Sequence, residues 1–268
     1  MFRNRKDRTV VQTTSVAPKL ALLLLEGRAI PELFGFAASL PTLATLAPRG
    51  DGQPVLVLPG LTTSDRSTIA LRRFLSSKGY PTYGWDMGVN LGPRPGVETG
   101  LIDLVTRLYD EHDRKISIVG WSLGGIYARQ LAKMMPEKVR QVISLGSPFG
   151  GSPRATNAWR IYEMASGQDS REGDKHMGGA IAAPPPVPTT AIYSKTDGIC
   201  SWQNCIEARS EIAENIEVKA SHCGLGHHPA AVYAIADRLA QPEGSWQRFD
   251  RKGVRGLVYP KPAYPTDG

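Results

Sequence analysis

Cysteine is scarce in this 268-residue chain: Cys200, Cys205 and Cys223 permit one staple and exclude a disulfide scaffold. Long apolar runs are missing too. The longest charge-free apolar run goes from Leu33 to Pro48 and is broken by Pro41. A bilayer span needs about 20 residues, so no transmembrane helix is expected. A secretory core is also wanting, because Leu20–Leu25 is short and stops at Glu26, whereas an h-region takes roughly 7–15 apolar residues. The chain therefore reads as cytoplasmic. No internal repeat is visible. The net charge of +7 is not spread through the body. Arg3, Arg5, Lys6 and Arg8 oppose only Asp7 at the start, and the tail from 241 carries a further basic excess. A nucleic-acid groove is not supported.

What is present is ordinary globular composition, 41% hydrophobic and 21% charged, in a length that fits one large domain. Residues 18–47 are helical in character: Leu22, Leu25, Ile30, Leu33, Phe34 and Leu40 form a loose apolar face, with Glu26, Arg28 and Glu32 off it. The segment is expected to pack on the domain, with weak membrane-surface contact or an acyl-binding rim as the alternative. After Gly52, strands and helices alternate. Val55–Leu58 is a buried-strand run, Asp65–Lys78 a helix, Tyr80–Trp85 a weaker strand, and Leu101–Leu108 a helical stripe. Strand Ile116–Val119, helix Leu123–Met134 and strand Val139–Leu145 follow. Residues 150–188, rich in Gly, Ser, Ala and Pro, read as a small cap or lid. Strands at Thr189–Tyr193 and Ile216–Ala220 and a helix at Ala230–Leu239 complete the set, before an extended tail over 241–268. The resulting division is an N-terminal helical segment over 1–50, an α/β domain over 51–240 and the tail. Such alternation implies a mostly parallel sheet covered by helices on both faces, with chemistry at the carboxyl ends of the strands.

One strand end carries a motif. Ile116–Val119 runs into Gly120-Trp-Ser-Leu-Gly124, with Gly125 next and a helix after it. This is G-x-S-x-G in the strand–turn–helix setting that lifts the serine hydroxyl above a sheet. With Leu58-Pro-Gly-Leu61 upstream, the chain resembles the α/β-hydrolase superfamily, nearest to bacterial lipases and lipase-like esterases, over roughly residues 53–240. The resemblance implies an α/β-hydrolase fold and a serine nucleophile, then an acid after a later strand and a histidine after the last one. Ser122 fills the first role. Asp197 follows the strand at 189–193, whereas its rivals Asp169, Glu172 and Asp174 lie in the cap-like stretch. His222 follows the last strand, and His227 and His228 directly precede the final helix, where they suit a cap or rim. The order serine, acid, histidine is that of this fold. A metal held by His222, His227 and His228 is not expected, since no helical spacing or carboxylate partner accompanies them.

By the same analogy the oxyanion hole takes backbone N–H groups of Leu123, after the nucleophile, and of Leu61, in the loop after the first strand. Many lipases have histidine where this chain has Pro59. The resemblance also suggests a Cys205–Cys223 disulfide pinning the acid and histidine loops, which would place the chain in the periplasm or outside the cell. The alternative is two thiols in a reducing compartment, with Cys200 left over in either case. The implied activity is hydrolysis of carboxylic esters, small-molecule or lipid, through an acyl-enzyme and without a cofactor. Acyl transfer, amide or thioester cleavage by the same site, and a catalytically inactive binding module, are the other readings.

Overall fold

The computed structural model describes residues 16–150, 156–157 and 180–265. Six strands form one sheet: β1 Val55–Leu58, β2 Thr82–Tyr83, β3 Ile116–Trp121, β4 Val139–Leu145, β5 Thr189–Tyr193 and β6 Ala213–Glu217. They lie in the order β2-β1-β3-β4-β5-β6. Every neighbouring pair is parallel. Successive side chains of a strand point to opposite faces, and both faces here are apolar. Val55, Val57, Val119, Ile143 and Ile192 pack on one side with α3 Asp65–Ser77 and α6 Pro229–Leu239. Leu56, Leu58, Ile118 and Val142 pack on the other with α4 Val97–His112 and α5 Leu123–Met134.

The chain leaves β1 for the edge strand β2 and returns past β1 to β3. The direction of winding reverses there, which opens a crevice beyond the carboxyl ends of β1 and β3. Pro59 and Ser122 stand at those two ends.

Two sequence expectations are corrected in the strands. The Tyr80–Trp85 strand shrinks to Thr82–Tyr83. The last strand lies three residues earlier than expected, because it pairs with β5 from Thr189↔Ala213 to Tyr193↔Glu217. Its polar residues hid it. Glu214 is buried against Thr190, Arg238 and the Phe249 N–H. Asn215 is buried between the backbones of Glu207 and Ala263.

A larger correction concerns the start of the chain, which forms α1 Leu20–Leu24, a 3₁₀ turn Leu25–Arg28 and α2 Ala29–Leu46. Of the expected apolar face only Leu22 is half-buried; Leu25, Ile30, Leu33, Phe34 and Leu40 are exposed. Phe36, Leu43 and Ala47 dock on the core instead. The segment is rotated because its charged side chains find partners inside. Most of the expected cap over 150–188, with Asp169, Glu172 and Asp174, lies outside the described residues. The tail is anchored by buried Phe249 and Tyr259, with α7 Arg255–Val258 between them.

Candidate active site

Ser122 caps the N-terminus of α5 with φ 53° and ψ −118°, a conformation that side-chain-bearing residues adopt only under constraint. The constraint is visible in its neighbours. A Cβ on Gly120 would enter the backbone of Gly124, and one on Gly124 would enter that of Leu58 and Pro59. A Cβ on Gly125 would collide with the buried Ser147 hydroxyl. Strand and helix thus meet too closely for side chains, and the turn between them is forced. The Ser122 N–H donates to Leu145 O at 2.8 Å, which ties the turn to the end of β4.

Asp197 and His222 are brought into direct contact, with His222 Nδ1 2.6 Å from Asp197 Oδ2 and both side chains buried. The other carboxylate oxygen accepts the N–H groups of Ile199 at 2.8 Å and Cys200 at 2.7 Å. Asp197 therefore has one oxygen fixed by its own loop and the other reserved for the imidazole. Burial disfavours a charged His222, but the Asp197 carboxylate and the neighbouring Cys200 sulfur together outweigh it and lift the imidazole well above 6.5. The pair rests over Gly146, where a Cβ would fall 3.0 Å from His222 Nδ1 and 3.1 Å from Asp197 Oδ2. Ser122 is thus tied to Leu145, and the pair lies over its neighbour Gly146. Among the described residues the Ser122 hydroxyl has no hydrogen-bond partner; hydroxyl–imidazole contacts are commonly loose without substrate and tighten with it.

Trp121, the residue before Ser122, bridges the remaining distance along the backbone. Its indole Nε1–H donates to His222 O at 3.0 Å, and its ring covers Gly226, which has no room for a Cβ. His227 sits edge-on to that ring and approaches Ala29 O, while His228 is the N-cap of α6.

The two backbone donors expected beside Ser122 differ in setting. Leu123 is the first residue of α5, so its N–H lacks an intrahelical acceptor. Leu61 lies in the turn after β1, and among the described residues its N–H donates to nothing. Buried Asn90, which carried no signal in the sequence, holds that turn. Its side-chain amide donates to Pro59 O at 2.9 Å, and its backbone exchanges hydrogen bonds with Thr62 and Thr63 at 2.7 Å each.

The cysteines do not form the expected bridge. All three are free thiols, with Cys200 and Cys205 buried and Cys223 exposed. Cys205 points into a cluster with Tyr193, Cys200 and Ile206, away from the surface where Cys223 lies. A hydrogen bond with Cys205 and complete burial push the Cys200 thiol up, so it is uncharged at neutral pH. Asp197, Cys200 and His222 bring donor atoms within 4.8 Å of one another. A metal there would have to displace the Asp197–His222 bond.

Comparison with known proteins agrees with the fold. Residues 99–180, which include Ser122, match the family described as PGAP1-like alpha/beta domain. No curated protein matches the chain by sequence. Among solved structures, lipase B of Aspergillus fumigatus superposes with a TM-score of 0.58 at 17% identity, over 82% of this chain. This chain spans 60% of that enzyme's length. The mature form of a Bacillus licheniformis lipase superposes with a TM-score of 0.52 at 16% identity, over 73% of this chain and 95% of that one. The chain has the α/β-hydrolase fold.

Proposed function

We propose that the chain hydrolyses carboxylic esters through an acyl-enzyme on Ser122. The observation that carries this reading is the buried 2.6 Å contact of Asp197 with His222 Nδ1, taken together with a serine held at positive φ after β3. The likeness in fold to two lipases supports it. In the reaction His222 Nε2 takes the Ser122 proton as Oγ bonds to the acyl carbon. The carbonyl oxygen becomes an oxyanion held by the N–H groups of Leu61 and Leu123. His222 then gives its proton to the departing alkoxide. It next deprotonates the water that attacks the acyl-enzyme, and returns that proton to Ser122 as the acid leaves. Asp197 fixes the Nδ1–H tautomer and stabilises the imidazolium that forms twice in each cycle.

The substrate class is drawn from the surface beside the site. Residues 20–46 contain three charged side chains, Glu26, Arg28 and Glu32, and all three form hydrogen bonds to the loops that carry Asp197 and His222. Their outer face is apolar, with Leu24 75%, Phe34 72% and Ile30 66% exposed. No helix among the described residues is long and apolar enough to cross a membrane. A face of this kind suits contact with a lipid–water boundary, and lipid esters are the substrates that gather there.

A fluorophosphonate probe and a chain-length series of p-nitrophenyl esters, with and without emulsified triglyceride, test the reading. The wild type is expected to be labelled once, on Ser122, and to turn over esters. Ser122→Ala and His222→Ala should lose turnover while keeping the fold. Asp197→Asn should fall on the order of 10⁴-fold through the wrong imidazole tautomer. An unlabelled Ser122 in folded protein would refute the proposal.

A further inference from the structure

We infer that Glu26, supported by Arg28 and Glu32, is a positioning residue that sets the acid and histidine loops from a segment outside the sheet. The inference rests on the ester-hydrolysing reading above and adds to it residues that no motif contains.

The loops after β5 and β6 run past the last strand pairing, so their backbone groups need other partners. The N-terminal segment supplies them. Glu26 Oε1 accepts the Gly198 N–H at 2.8 Å and the His222 N–H at 3.0 Å, and Oε2 accepts the Cys223 N–H at 2.9 Å. One carboxylate thus spans both loops and grips the main chain of His222 itself. Arg28 Nη2 donates to Thr196 O at 2.7 Å, to Thr196 Oγ1 at 2.8 Å and to Ala220 O at 2.8 Å. Again one side chain touches both loops. Glu32 accepts the Ser221 N–H at 2.9 Å and the Ser221 hydroxyl at 2.5 Å, and takes the Arg28 Nε–H at 3.2 Å.

The fit is close as well as polar. A Cβ on Gly198 would enter the backbone of Leu22, and one on Gly224 would strike the Glu32 carboxylate. Removing the segment's charges would leave several N–H and C=O groups unpaired on the two loops whose relative position sets the Asp197–His222 contact.

Glu26 also acts through its charge. Burial opposes its ionisation, but the hydrogen bonds from Cys223, His222 and Gly198 and the nearby His222 charge outweigh it. The carboxyl titrates below its usual 4.5 and is ionised at neutral pH. It is a second negative group near the imidazole. The titratable groups facing His222 are then Asp197, Cys200 and, through the backbone of 222–223, Glu26 and Cys223.

The test compares full-length wild type, Glu26→Gln and Glu32→Gln on p-nitrophenyl butyrate, with circular dichroism and thermal melts as fold controls. Glu26→Gln is isosteric but replaces one acceptor oxygen by an amide that faces an N–H. Its kcat is expected to fall about tenfold or more, since small misplacements of catalytic groups cost that much, with KM nearly unchanged. The acid limb of its kcat/KM profile should move to lower pH, because a charge that favours the imidazolium is gone; a merely structural role would not move it. Glu32→Gln should lower kcat with less displacement of the limb, and it serves as the test if Glu26→Gln does not fold. A folded variant with wild-type kcat and an unmoved limb overturns the inference. Ser122→Ala separates the two levels: hydrolysis by that variant would overturn the ester-hydrolase reading itself, whereas a dead Ser122→Ala beside an unaffected Glu26→Gln would sink only the positioning role.

Discussion

His222 is the residue on which pH acts most directly. Its folded value is lifted well above 6.5 by Asp197 and Cys200 together, against the larger single effect of burial. In the proposed reaction only the neutral imidazole takes a proton from Ser122, so ester hydrolysis should rise with pH along an acid limb whose midpoint lies above 6.5. A pH–rate profile of kcat/KM checks this, and a midpoint at or below 6.5 would contradict it. Stability runs the other way. A group whose folded value is raised stabilises fully below its unfolded value and loses that contribution as pH rises through the folded one. The contribution of His222 is therefore fully present below about 6.5, where the proposed reaction is slowest. Glu26 has the opposite sign: its contribution is present above 4.5 and is lost as pH falls through its depressed folded value. Asp197 and His222 were legible as residues because each follows a strand. Glu26 was not, since its partners lie more than 170 positions away and nothing local marks it.

At the scale of elements, the turn between β3 and α5 and the N-terminal segment behave differently. The turn is over-determined by packing. Gly124→Ala would drive a methyl to within 2.8 Å of Pro59 O as well as into Leu58 O, and both are backbone atoms that move only with β1. We expect a loss of about 1–3 kcal/mol in urea denaturation, together with reduced turnover, because the proposed Leu61 donor sits on the displaced loop. The N-terminal segment is amphipathic in reverse, charges inward and leucines outward. Apolar residues facing water gain nothing from burial until something covers them. Leu24→Glu/Phe34→Glu should then abolish co-sedimentation with anionic phospholipid vesicles while leaving p-nitrophenyl butyrate hydrolysis intact. Equal sedimentation of variant and wild type would remove the lipid-surface reading. Self-association of the wild type without vesicle binding would assign the face to a second copy.

Across the whole molecule, buried ion pairs hold the helical layers to the loops and tail. Arg129 of α5 is paired with Glu207, and its guanidinium lies 3.6 Å above the ring of Phe149. Arg238 of α6 meets Glu214 of β6 at 2.8 Å, and Glu214 also accepts the Phe249 N–H at 2.7 Å, which draws the tail onto the core. Such pairs are costly to break from one side, because the remaining charge is left buried. Arg129→Ala should lower unfolding free energy by about 3–5 kcal/mol, and Arg129→Met with Glu207→Leu by much less. Equilibrium denaturation of both variants tests the comparison; equal losses would mean that packing on Phe149 outweighs charge.

The parallel sheet, the positive-φ serine at the end of β3, and the positions of Asp197 and His222 in loops that follow strands were determined by sequence alone. Each depends on local physics: apolar runs that must be buried, glycines where no Cβ fits, and a turn with one sterically allowed shape. The rest was decided by the tertiary structure. It shifted β6 onto polar residues that acquire partners only in the fold, left Cys205 and Cys223 apart, and turned most of the leucines of residues 20–46 outward. The reason is common to the strand and the leucines. A buried carboxylate or amide is satisfied by groups distant in the chain, so where it points is settled by what the assembled loops leave unpaired, and periodicity does not record that.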